Sequence, residues 1–207
     1  YVSGIKLETS APTAKGIFNA INTTYKFLTN KELSESTIAI SGVGKVGIKL
    51  SKFLFEKKAN LIVSNIGRDP IDRLKHDKIS FTESDINSIF EQECDIISPC
   101  ALGRAINSET KKKLKCKAII GAANNQLDKS ETAEWLKENN IFYAPDYLVN
   151  SGGVIAISCE INNSEDTLDD QLNKISDKVL LLLKESKKSS LSTDKIVEDL
   201  AWKRINI

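Results

Sequence analysis

The sequence predicts an α/β protein: a doubly wound, mostly parallel sheet with helices on both faces, plus further helices at the C-terminal end. Three observations predict it. Short apolar runs alternate with segments of helical periodicity through most of the chain. The run NLIVS at 60–64 is continuous rather than alternating, as expected of a strand covered on both faces. The stretch AISGVGKVG at 39–47 sets three glycines between an apolar run and a helical one.

In chain order, residues 12–28 carry Ile17, Ala20, Ile21, Tyr25 and Leu28 at helical spacing, and Pro12 stands where a first-turn residue would. Residues 37–40 are a short β-branched run ending at Ser41-Gly42. Helical spacing resumes over 46–55 through Val46, Leu50, Phe53 and Leu54. After the strand at 60–64, apolar runs at 95–98, 117–120 and 141–143 give further strands, interleaved with helices expected over 84–90, 108–114 and 129–138. From Ser164 the pattern turns charged and Leu-rich. Two amphipathic helices are expected there, the first with Leu168, Leu172, Ile175, Val179 and Leu183 on one stripe that faces the chain's own core or a partner.

Composition excludes several function classes. Lys+Arg of 29 against Asp+Glu of 28 leaves a formal net charge of +1, so no global field attracts nucleic acid or an anionic membrane, and a bound anion must be gripped locally. No run approaches the roughly 18 apolar residues of a spanning helix, and no leader-like segment opens the chain. Cys94, Cys100, Cys116 and Cys159 form no CxxC, and His76 is the single histidine, so no metal site is expected and the cysteines read as reduced thiols of a cytoplasmic protein. The chain has no Met and starts at Tyr1, and so reads as the later part of something longer.

The glycine turn carries the chemistry. In a GxGxxG turn the first glycine, Gly42, permits the sharp strand-to-helix corner. The second, Gly44, lets the backbone approach a pyrophosphate, and the third, Gly47, lets helix and strand pack closely. Phosphates would lie on the amides of residues 43–47 (Val43, Gly44, Lys45, Val46 and Gly47), where the helix N-terminus favours negative charge. The fold is then Rossmann-type and the ligand a dinucleotide. The expected division is a linking helix at 1–30, a dinucleotide-binding domain at 31–161, and C-terminal helices at 162–207 that pack on it or on a missing catalytic domain. The acid that usually binds the adenosine ribose is replaced by Asn65, which lacks the charge that repels a 2′-phosphate; Arg68, three residues on, would bind one. NADP is therefore admitted beside NAD, unless Asn65 and Arg68 merely occupy a solvated loop.

Five stretches extend the argument: TAKG at 13–16, GVGKVG at 42–47, CDIISPCALG at 94–103, GAANNQL at 121–127 and APDYLVNSGGV at 144–154. On these the chain resembles the C-terminal, cofactor-binding portion of the Glu/Leu/Phe/Val amino-acid dehydrogenases, most closely the leucine dehydrogenase type. The resemblance implies NAD(P)-dependent oxidative deamination of an L-amino acid to a 2-oxo acid and ammonia. It implies that Pro99, Cys100 and Ala101 flank the cofactor's ribose and nicotinamide, that Asn124 bonds near the nicotinamide ribose, and that Thr13 meets the carboxamide. Asn150 is similar to the asparagine that contacts the substrate's amino group. Val154 and Ile157, three apart on a helix, match positions lining the side-chain pocket, and an unpaired carboxylate is costly against Ile, so an apolar, branched-chain substrate is favoured unless the two simply pack the core. Ala156 and Cys159 depart from the leucine-type pattern.

The family's acid/base lysines and aspartate belong to an N-terminal domain with a Gly-Gly-Gly-Lys stretch, which these residues lack. No catalytic residue is therefore assigned within the chain, and cofactor binding without turnover is expected. A non-catalytic dinucleotide-binding or regulatory module derived from the family is the alternative. The expected partners are a small amino acid or 2-oxo acid and further copies of the chain, since the family is oligomeric.

Overall fold

The computed structural model describes residues 8–205, with the side chain of residue 204 outside that description. Six strands form one sheet: β1 (Thr37–Ser41), β2 (Asn60–Ser64), β3 (Thr82–Glu83), β4 (Ile96–Pro99), β5 (Ala118–Ile119) and β6 (Phe142–Tyr143). Their order is β3-β2-β1-β4-β5-β6 and every pairing is parallel, so the "mostly parallel" expectation resolves to wholly parallel. The direction of winding reverses between β1 and β4, which leaves a crevice at their carboxyl ends. Register puts Ser41 opposite both Ser64 and Pro99, so three strands finish level beneath the glycine turn.

Alternation along β1 explains the two cores. Ile38 and Ile40 point to one side and Ala39 to the other. The larger core joins the sheet to α1 (Ser10–Thr29), α2 (Lys45–Glu56), α3 (Arg68–His76) and α7 (Leu168–Lys188). The smaller one joins it to α4 (Ser130–Glu138) and to a 3-10 turn at Ile89–Glu91, while Ile106 and Leu114 enter it from either side of a second 3-10 turn at Thr110–Lys113. Two helices, α5 (Asp146–Val149) and α6 (Gly152–Ile161), follow β6, and α8 (Thr193–Ile205) closes the described chain. Of the expected α7 stripe, Leu172, Ile175, Val179 and Leu183 are buried, joined by Leu182, and Leu168 packs half-buried against the larger core. These side chains belong to the same core as Ile17 and Ile21 of α1.

Two expected helices are absent. Over 84–90 the Asp85 carboxylate accepts the Asn87 amide, a local turn that competes with helix, and only one 3-10 turn follows. Over 108–114 the Asn107 side chain accepts the amides of Glu109 and Thr110, but Lys111 and Lys115 would stand one helical turn apart with like charge, and the segment stops as a 3-10 turn. Conversely α3 was not expected. Its buried apolar residues are Ile71 and Leu74 alone, too few to make a periodic signal.

Candidate functional site

The glycine turn leaves β1 at Ser41 and enters α2 at Lys45. Gly42 has φ +97°, and a Cβ there would stand 2.6 Å from that of Ala101, so the corner exists only because the residue is glycine. A Cβ on Gly47 would stand 2.2 Å from the Gly42 carbonyl oxygen, which ties the helix to the turn. Gly44 differs. A Cβ there meets nothing within 4 Å, so the fold makes no demand for glycine at this position and the open space lies on the solvent side of the turn.

Hydrogen bonds decide which amides remain for a ligand. Gly42 donates its amide to the Ser64 carbonyl at 2.8 Å, and Val43 donates to the Asn65 Oδ1 at 3.0 Å. The first amides of α2, from Lys45 on, have no intrahelical acceptor and face outward with the helix dipole behind them. Lys45 adds an exposed cation. Val43 and Val46 serve differently: Val43 is fully buried and Val46 packs against the same core, so their side chains support the turn from beneath.

Asn65 is fixed at the end of β2. Besides accepting from Val43, it donates Nδ2 to the Gly67 carbonyl at 2.8 Å. Arg68 opens α3 and bonds the Glu83 carboxylate at 2.5 Å and Asp72 at 3.5 Å. A cleft of about 230 Å³ runs from Gly42 and Asn65 past Pro99 and Ala101, with Ile66, Ile86, Phe90 and Leu102 as apolar walls. Sequence reasoning missed these four: Ile86 and Phe90 fall in 84–90, which reads as a helix, and Ile66 and Leu102 stand singly in the loops after β2 and β4. The available signal was an apolar residue directly after Asn65 and another after Ala101, both strongly exposed. A crevice of this kind, apolar with a few fixed polar groups, suits a planar base and its sugar.

The second half of the site lies across β4. Pro99 is buried, and its carbonyl accepts the Ala123 amide at 2.9 Å. The Cys100 amide donates to the Ser41 carbonyl at 2.8 Å, and burial pushes its thiol above the ordinary range, so it is protonated and fills space rather than acting as a nucleophile. Asn150 donates Nδ2 to the Asn124 Oδ1 at 2.8 Å and to the Ala122 carbonyl at 3.3 Å, so two residues picked separately from the sequence touch. With its nitrogen turned to two acceptors, Asn150 leaves its own oxygen for an incoming donor such as an ammonium. Thr13 reaches the same place: its Oγ1 lies 2.9 Å from where a Gly153 Cβ would be, and the Pro12 carbonyl 2.2 Å from a Gly152 Cβ. The α1 N-terminus is thus seated on the turn that carries Asn150.

Val154 is 71% exposed and Ile157 half-buried, on a face of α6 that continues to exposed Ile161. Ala156 and Cys159 are buried on the opposite side and take no part in that face. His76 is 89% exposed at the end of α3, a surface residue as expected.

The chemistry of the corner fits a dinucleotide. A helix N-terminus with unpaired amides, a glycine with open space where its Cβ would stand, and an apolar crevice beside it are three features that suit a pyrophosphate with an attached nucleoside. Among the described residues no group of three or more His, Cys, Asp or Glu side chains is arranged to hold a metal, and no helix is long and apolar enough to cross a membrane.

Comparison with known proteins shows what the chain is similar to. The family model described as Glutamate/Leucine/Phenylalanine/Valine dehydrogenase matches residues 62–197. A phenylalanine dehydrogenase of Thermoactinomyces intermedius is 36% identical over 207 residues, covering 98% of this chain and 56% of that protein. A leucine dehydrogenase of Bacillus subtilis is 41% identical over 153 residues, covering 73% of this chain and 42% of that one. The crystal structure of L-tryptophan dehydrogenase from Nostoc punctiforme superposes with a TM-score of 0.92 at 30% identity, over 97% of this chain and 62% of that one. The chain thus spans about half the length of the curated relatives it matches.

Proposed function

The chain belongs to the Glutamate/Leucine/Phenylalanine/Valine dehydrogenase family, and from that premise we propose that it forms the NAD(P)-binding part of an enzyme that oxidatively deaminates an apolar, branched-chain L-amino acid. The observation that carries the reading is Gly44, whose missing side chain serves no packing purpose and leaves room at a helix N-terminus. Pyrophosphate oxygens are held by the outward amides of the turn and by Lys45. The crevice between Asn65 and Leu102 would hold the base and its ribose.

The dinucleotide, once bound, supplies the hydride acceptor for oxidation at the substrate's Cα, and water then releases ammonia to leave the 2-oxo acid. The chain's own residues position the reactants. Thr13 and Asn124 would hold the nicotinamide end of the cofactor. Asn150 offers its oxygen to the amino group while Asn124 and Ala122 fix its nitrogen. Val154 and Ile157 present an apolar face to the substrate side chain, which disfavours a buried carboxylate there. The carboxylate-binding and proton-transfer groups of the family lie on a stretch these 207 residues do not contain, so this chain by itself binds but does not turn over.

Calorimetric titration of the 207-residue chain with NADH tests the reading. Saturable one-to-one binding, weakened at least tenfold in Gly44→Ala, is expected, and no formation of NADH from leucine and NAD by the chain alone. Absence of binding would overturn the assignment, and turnover by the chain alone would overturn the claim that the proton-transfer groups lie elsewhere.

A further inference from the structure

The fingerprint acid that normally faces the adenosine ribose is absent at the end of β2, yet a carboxylate stands one strand away. Register sets Glu83, the last residue of β3, opposite Val63, one residue before the end of β2. Its two oxygens are both engaged: Oε1 accepts from Arg68 Nη1 at 2.5 Å and Oε2 from Lys75 Nζ at 3.3 Å. Arg68 is held a second time, through Nε, by Asp72 at 3.5 Å. The Asn65 side chain, committed to the Val43 amide and the Gly67 carbonyl, supports the turn and the loop rather than supplying charge.

We propose that Glu83 is the cofactor-selecting residue of this chain: it ties up Arg68 and sets a negative charge where a 2′-phosphate would have to enter, and so favours NAD over NADP. The inference rests on the dinucleotide reading above. It also reverses what residues 65 and 68 alone suggest, because an arginine three residues after an uncharged one counts for a phosphate only while its guanidinium is free. The neighbouring cations, led by the Lys75 hydrogen bond, hold the Glu83 carboxyl below the usual range, so it is ionised throughout neutral pH. Removing its charge leaves Arg68 and Lys75 as two cations facing the 2′ position, a pair suited to a phosphate dianion. Asp72 remains and keeps part of its hold on Arg68, so the gain is bounded.

The test is calorimetric titration of NADH and NADPH into the wild-type chain, E83Q, and the double variant E83Q/R68Q. Glu83→Gln keeps the shape of an exposed side chain, and the readout is a ratio of two affinities, which a general loss of structure would not shift toward one nucleotide. Expected are a wild-type preference for NADH, a rise of at least tenfold in the NADPH:NADH affinity ratio in E83Q, and loss of that rise in E83Q/R68Q. A ratio that stays put in E83Q, a wild-type chain that binds both equally, or a gain that survives in the double variant overturns the role of Glu83. Wild-type chain that binds neither nucleotide overturns the dinucleotide reading and this inference with it, whereas NADH binding with an unmoved ratio overturns only the inference.

Discussion

Gly42, Gly44 and Gly47 share one turn but answer to different constraints, and substitutions separate them. At Gly47 an added methyl would stand 2.2 Å from a backbone oxygen that cannot move without opening the turn, so Gly47→Ala should destabilise by about 1–3 kcal/mol or more, read as a lowered urea midpoint. At Gly44 the methyl enters open space at φ −69°, so Gly44→Ala should keep its urea midpoint to within about 1 kcal/mol while losing NADH affinity. Equal effects of the two on stability would contradict the division. Asn150 yields a second contrast at this scale. Its Nδ2 faces two oxygens, so Asn150→Asp would set a carboxylate against two acceptors. A loss of about 1–3 kcal/mol is expected in chemical denaturation, against a smaller loss for Asn150→Ala, which leaves no repulsion.

At the scale of elements, the strands and helices legible in the sequence are those whose own side chains make a repeating pattern. The helices α1 and α7 each carry a stripe of four or more buried apolar residues, and β1 and β2 are dense in β-branched residues between turn signals. What was illegible lies between them. The segments 84–90 and 108–114 have helical composition, but Asp85 bonding the Asn87 amide turns the first aside, and like charge at Lys111 and Lys115 stops the second after its Asn107 cap, effects that periodicity does not register. The strand β3 is two residues long and exists because β2 lies beside it. The packing of α1 on α7 gives this scale its prediction. Ile175 is fully buried, and its Cδ1 lies 2.8 Å from where a Gly16 Cβ would be, so it fills the space that Gly16 leaves open between the two helices. Ile175→Ala should cost about 2–5 kcal/mol in urea denaturation, toward the upper end because Gly16 has no side chain with which to refill the gap. A change below about 1 kcal/mol would mean that α7 is held mainly elsewhere.

Across the whole molecule the two ends of the sheet have different duties, and this explains which parts of the site were readable. The glycine turn is contiguous in sequence, so its chemistry could be read from the sequence alone. The Asn124–Asn150 and Arg68–Glu83 contacts join loops that follow different strands, and only the strand order brings them together. At the amino end the strands are tied by Asp95, which accepts from the Thr37 amide and pairs with Lys117. The same end holds Cys94 and Cys116, which the parallel bridge Glu93–Lys115 sets side by side, with both thiols packed against the smaller core. Burial pushes each up to about 12, with the neighbouring Cys116 adding to the shift at Cys94. The sign of the consequence follows from linkage. Below the ordinary thiol range, near 9, both thiols are protonated whether the chain is folded or not, and they contribute no pH dependence. Above it the unfolded chain loses protons while the native one keeps them, so stability falls as pH rises from about 9 toward 12. A loss of about 2 kcal/mol per thiol, about 4 kcal/mol combined, is expected between about pH 8 and pH 10.5. Urea midpoints of the wild type and of Cys94→Ala/Cys116→Ala, measured across that interval, isolate the term, because every other titrating group is common to both. A steeper decline in the wild type is the expected result, and parallel declines would show that these thiols reach water in the native state.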